Sequence, residues 1–141
     1  MSDLERFVRA QESGGTYEQA LAELRRGRKT THWMWFVFPQ LAGLGRSPMA
    51  ERYAIQSLEE ARAYLAHPVL GPRLLECAQA VADSKAGSAQ AIFGGIDAVK
   101  LRSSMTLFLR AGPSHPQFQA VLDRCFDGAP DTATDRLLSA H

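Results

Sequence analysis

The stretch Lys29–Gly45, KTTHWMWFVFPQLAGLG, decides how the rest of the chain is read. Both tryptophans (Trp33, Trp35) and two of the seven phenylalanines (Phe36, Phe38) fall inside six consecutive positions, with His32 at one end and Pro39-Gln40 at the other. As a strand, Trp33, Trp35 and Val37 would line one face and Met34, Phe36 and Phe38 the other. Both faces would be apolar, so the strand would need neighbours and cover on both sides. Nothing else in the chain has a strand pattern, and Pro39 cannot donate to a central ladder. The segment therefore reads as a short buried helix or helical turn, apolar all round because it crosses the middle of a helical assembly.

Working outward, the rest of the sequence carries helix signals. Leu4, Phe7 and Val8 are at helical spacing in Asp3–Gln11; after Ser13-Gly14-Gly15, Thr16 with Gln19 three residues on forms a capping box for a second helix with Tyr17, Leu21 and Leu24 on one face. That helix stops at Gly27, and Arg25, Arg26, Arg28 and Lys29 around its end complement the helix dipole rather than marking a phosphate site. Ser47-Pro48 and Ser57-Leu-Glu-Glu60 are N-cap signatures, and His67-Pro68 and His115-Pro116 mark further helix starts. Amphipathic helices follow over 68–82 and 116–125. Gly94-Gly95 breaks the chain, Asp97 caps a helix over 98–110, and a last helix covers 132–138. The expected fold is all-α: a single-domain (1–141) orthogonal bundle of about eight short helices.

Composition agrees with a folded chain. The 141 residues are 45% hydrophobic and 22% charged, with a formal net charge of +1. Lys and Arg (16) nearly balance Asp and Glu (15), which argues against nucleic acid as a partner. Met1–Gln11 lacks the apolar core of a signal peptide, and no apolar run approaches the roughly 20 residues that span a bilayer, so a cytoplasmic protein with no membrane partner is expected. Cys77 and Cys125 lie far apart without a CxxC, and His32, His67, His115 and His141 have no paired spacing; no metal and no cofactor are expected.

The aromatic block also holds polar atoms. Two indole N–H groups, the His32 ring and the Gln40 amide need partners, since a buried unpaired polar group costs roughly 1 to 3 kcal/mol. The expected partner is KLRSSMTLFLR, Lys100–Arg110, where Leu101, Met105 and Phe108 form the buried stripe. Two serines in mid-helix are unfavourable there unless helices pack closely or the hydroxyls are aimed at something. If the two segments meet, His32 comes within direct or one-water reach of Ser103, Ser104 or Lys100.

The segments HWMWFVFPQLAGLGRS, YLAHPVLGPRL, IFGGID and KLRSSMTLF, in this order, resemble domain of unknown function 1810, a family of small bacterial proteins, over nearly the whole chain. The resemblance implies an all-helical fold with signature positions at His32, Trp33, Trp35, Phe38, Pro39, Gln40, Lys100, Ser103, Ser104 and Thr106; Thr31 stands where serine is common. It implies no activity. The calpastatin label sometimes attached to such proteins does not suit this chain, because calpastatin inhibitory segments are disordered and this composition folds.

Two functions of different class follow. In the first, His32, Trp33, Trp35, Gln40, Lys100, Arg102, Ser103 and Ser104 converge on a Trp-walled pocket that binds a small anionic ligand, a carboxylate or phosphate. In the second, the same groups form a closed structural network and the function is a protein–protein surface. Catalysis has weaker support. His32 suits proton transfer near neutrality, and Lys100 and Ser103 have the spacing of a Ser-Lys dyad, but in reversed order and without an oxyanion hole. Gly94-Gly95 lacks the Lys-Ser/Thr of a phosphate loop. The sequence does not indicate an oligomeric state.

Overall fold

A computed structural model describes residues 3–140; His141, the last of the four histidines, lies outside them. The elements are α1 (Glu5–Glu12), a 3-10 turn (Ser13–Gly15), α2 (Thr16–Arg26), α3 (Met34–Val37), α4 (Pro48–Arg52), α5 (Leu58–Ala66), α6 (Leu70–Ala82), α7 (Ala89–Ala111), α8 (Pro116–Phe126) and α9 (Thr132–Ser139). No strand forms among the described residues. An isolated parallel bridge joins Leu41 to Ile55, with Ile55 N–H donating to Gln40 C=O at 2.9 Å.

The aromatic stretch forms the single helical turn α3, with Met34, Phe36 and Val37 buried. Its rings are shared out between two aromatic groups: Phe36 packs edge-on against Tyr53 at 5.3 Å, while Trp33 and Phe38 both pack against Phe93 of α7 at 6.4 and 6.1 Å. Around them, α7 packs on α5, α8 and α9, and α6 on α2, α5 and α8.

Most caps follow the sequence chemistry. Ser47 accepts from Ala50 N–H, Ser57 from Glu60 N–H, and Gly27 ends α2 in the left-handed region at φ 79°. His67 caps through its ring: Nδ1 accepts from the N–H groups of Val69 and Leu70 at 3.1 and 3.2 Å, so α6 starts at Leu70 rather than Pro68. One expectation is corrected. Thr16 is not an N-cap, because left-handed Gly15 takes that position and the Thr16 hydroxyl donates to Ser13 C=O. Gly94-Gly95 breaks the helix as the sequence predicts: α7 is two helical segments, the first starting at Ala89, capped by Ser88, and the second ending at Ala111, which meet at a kink at Gly94 with φ 78°, ψ 169°, a conformation open to glycine. Asp97 lies in the first turn of the second segment.

Candidate functional site

Beyond Gly27 the chain turns back along α2, and Lys29 N–H donates to Ile92 C=O at 2.7 Å, which ties this loop to the first part of α7. Glu23 of α2, fully buried, lies beneath the loop. Its carboxylate accepts from the N–H groups of Thr30 (2.8 Å) and Thr31 (3.0 Å), the Thr31 hydroxyl (2.6 Å), the Gln19 amide (2.9 Å) and the Trp33 indole (3.0 Å). Burial pushes the Glu23 carboxyl upward, but these hydrogen bonds outweigh it and hold the group well below the usual carboxylate range. The first indole is thus met by α2, not by Lys100–Arg110 as the sequence reading expects.

The second half of the geometry involves Lys29 and α7. Lys29 Nζ, with a side chain 7% exposed, lies 2.9 Å from Asp97 Oδ2 and 5.1 Å from the centroid of the Trp33 ring. Lys100, three residues along from Asp97, places Nζ 3.6 Å from Oδ1 of the same carboxylate and 5.3 Å from the Trp35 centroid. Two ammonium groups, each facing an indole, share one carboxylate. The three charges leave an excess of one positive, partly shielded from water, where cations gain from the ring faces.

The remaining sequence-predicted residues divide. Trp35 is half-buried beside Lys100, whereas Trp33 is wholly buried and engaged with Glu23. Arg102 points elsewhere: Nε donates to Ala129 C=O at 2.9 Å and the guanidinium lies over Phe126. Ser103 donates to Val99 C=O and to Asp131 Oδ2, both at 3.2 Å; the same Oδ2 accepts from the N–H and hydroxyl of Thr134. Thr106 accepts from Asp131 N–H at 2.8 Å. These contacts lock the N-cap of α9, which explains the mid-helix hydroxyls and leaves no Lys100–Ser103 dyad. Ser104, one turn after Lys100, is fully buried with its hydroxyl unpartnered. His32 is exposed and forms no hydrogen bond with Ser103, Ser104 or Lys100; Gln40 is half-buried and contributes its backbone to the Ile55 bridge.

Three residues were not among the sequence candidates: Glu23, Lys29 and Asp97. The Asp97/Lys100 spacing of three is a readable signal for a helical ion pair. Lys29 carries no such signal, because its burial depends on the turn after Gly27. Among the described residues no three His, Cys, Asp or Glu side chains gather as a metal site, and no helix is long and apolar enough to cross a membrane.

The model of the family described as "Protein of unknown function (DUF1810)" matches residues 1–138. The chain belongs to that family. Its structure is also similar to the crystal structure of the conserved hypothetical protein Rv1873 from Mycobacterium tuberculosis, with a TM-score of 0.93 at 53% identity, covering 97% of this chain and 96% of that one. No curated protein matches it. The all-α fold is thus a property this family member shares with an experimentally determined relative, and the signature positions of the family resemblance fall into both halves of the geometry above.

Proposed function

We propose that this chain is a cytoplasmic protein that binds a small anionic metabolite, carboxylate or phosphate, at the face formed by Lys100, Trp35, Asp97 and Lys29. The observation that carries the reading is the sharing of Asp97 by two lysines. Lys29 takes the shorter contact and is nearly buried, so Lys100, 22% exposed and 3.6 Å from the carboxylate, has capacity for a second anion. The indole beneath Lys100 supplies a flat apolar wall for the rest of the ligand. Trp33 lies behind this face under Lys29, while Arg102 and Ser103 are committed to Ala129, Phe126 and Asp131 and take no part in it.

The test is a thermal-shift series with a panel of carboxylates and phosphate esters on the wild type and on Lys100→Met. A ligand at 100 times its dissociation constant adds about 2.7 kcal/mol, enough to raise the melting temperature by several degrees. A shift present in the wild type and absent in Lys100→Met supports the reading. A panel without shifts, or one whose shifts survive Lys100→Met, overturns it.

A protein-binding surface is the second reading, favoured by a separate observation: Ile96 and Val99, on the same stretch of α7, are 78% and 63% exposed. An Ile96→Asp/Val99→Asp variant that loses a partner while keeping the small-molecule response would favour it.

A further inference from the structure

A groove of about 830 Å³ lies away from the Trp35 face, between the C-terminal end of α2, the outer side of α6, the 84–86 loop and the start of α8. Its size is within the range of small-molecule sites, roughly 300 to 1,000 Å³. Its edge is held firmly. A Cβ on Gly27 would come within 3.4 Å of Ser84 Oγ and 3.5 Å of Ala86 Cβ, so the end of α2 and the loop are in close contact. Arg124 of α8 donates to the carbonyl oxygens of both Ser84 and Ala86, fixing the loop from the other side.

The charges lining the groove are not equally committed. Glu76 accepts from the Tyr17 hydroxyl and pairs with Arg25 at 3.5 Å, and Asp83 accepts from the Gln79 amide at 3.0 Å. Glu76 is therefore paired with a cation, whereas Asp83, bonded only to a neutral amide, keeps its negative charge. Arg26 and Lys85 have no carboxylate within 4.0 Å among the described residues, so with Arg25 they outweigh Glu76 and Asp83 and leave the groove lining with one positive charge in excess. Gln117, on the α8 side, adds a second kind of demand: its Oε1 is buried and has no hydrogen-bond donor. An unmet buried acceptor is costly, and because Gln117 as a whole is only half-buried, a turn of its side chain that brings Oε1 to a ligand donor in the groove relieves that cost.

We infer that this groove is a binding site for a small phosphate monoester carrying hydroxyl or amino groups. The dianionic phosphate matches Arg26 and Lys85, and a hydroxyl or amine of the ligand donates to Gln117 Oε1. A carboxylate would neutralise one of the two cations, and a polymer such as nucleic acid does not suit a chain whose net charge is +1. The cations at the end of α2 thus serve more than its dipole.

The test is a ¹H–¹⁵N NMR titration of the full chain with glycerol 3-phosphate and, separately, with inorganic phosphate. Shifts are expected at Arg26, Lys85, Ala86 and the Gln117 side-chain amide, with glycerol 3-phosphate bound more tightly than phosphate. Arg26→Gln/Lys85→Gln should weaken both ligands by about tenfold or more, the scale of a lost charged hydrogen bond. Gln117→Leu should abolish the preference for the ester and leave phosphate binding in place. Lys100→Met should change neither, which separates this site from the Trp35 face. Shifts confined to Trp35 and Lys100, affinities unmoved by the double variant, or no shifts at tens of millimolar ligand would each overturn the inference.

Discussion

Trp33 Nε1 donates to Glu23 Oε1 across 3.0 Å, so the most buried aromatic side chain of the 33–38 segment is anchored to a carboxylate ten residues earlier. Since Glu23 also closes the 30–31 turn, removing its charge leaves several buried donors facing a group that cannot accept from all of them. Glu23→Gln should cost about 3 kcal/mol. Urea unfolding with a midpoint equal to the wild type would refute this.

The same carboxylate sets an acid dependence. Unfolded glutamates take up protons near pH 4.3, whereas folded Glu23, held down by its hydrogen bonds, stays ionised to lower pH. Its contribution is complete above about pH 4.3 and is lost as pH falls through the lower folded-state value. Wild-type stability should therefore fall more steeply with acid than that of Glu23→Gln. Parallel acid limbs would show that Glu23 does not carry the dependence.

The two tryptophans should differ. Trp33 is fully buried between Glu23, Phe38 and Phe93, and Trp33→Ala should cost about 3 to 5 kcal/mol. Trp35 is half-buried under Lys100, and Trp35→Ala should cost about 1 kcal/mol while abolishing the anion-dependent thermal shift. Equal losses of stability would place both rings in the core.

What could be read in the sequence follows physical range. The turn at Met34–Val37, the Ser47 and Ser57 caps and the stop at Gly27 rest on chemistry within a few residues, and the structure keeps all of them. The break at Gly94 is equally local, since glycine alone reaches φ 78°, ψ 169° freely, and the structure keeps it as a kink between two helical segments. The site was legible in residue type but not in direction. Lys100 and Arg102 look alike in sequence, yet the 100° turn per residue sends one to Trp35 and the other to Ala129 and Phe126. Lys29 and Glu23 depend on a turn whose partners lie in different helices, and no spacing announces them.

Cys77 gives an alkaline counterpart to Glu23. Burial, the largest influence, pushes its thiol up to about 12. The unfolded thiol ionises near pH 8.5, so above that pH the unfolded state loses its proton while the folded state keeps it. Stability from this group is complete below about pH 8.5 and declines as pH rises towards 12. Native protein at pH 9 should accordingly resist iodoacetamide at Cys77, with labelling rising in step with urea unfolding; rapid labelling in the native state would contradict its burial.

Asp131 separates the structural part of the sequence-predicted constellation from the binding part. It receives the Ser103 hydroxyl and both Thr134 donors while its own N–H goes to Thr106, so it joins α7 to the start of α9. Asp131→Ala removes an N-cap and leaves the buried Ser103 and Thr134 hydroxyls without this acceptor, a loss of about 2 kcal/mol. Amide exchange should quicken across Thr132–Ser139, because α9 packs on α7 and loses its principal side-chain tie. The Lys100-dependent thermal shift should persist, since Asp97, Trp35 and Lys29 do not touch Asp131. An Asp131→Ala protein that stays as stable as the wild type, or that loses the ligand response while α9 remains protected, would return Arg102 and Ser103 to the binding face and overturn the division drawn between the two sides of α7.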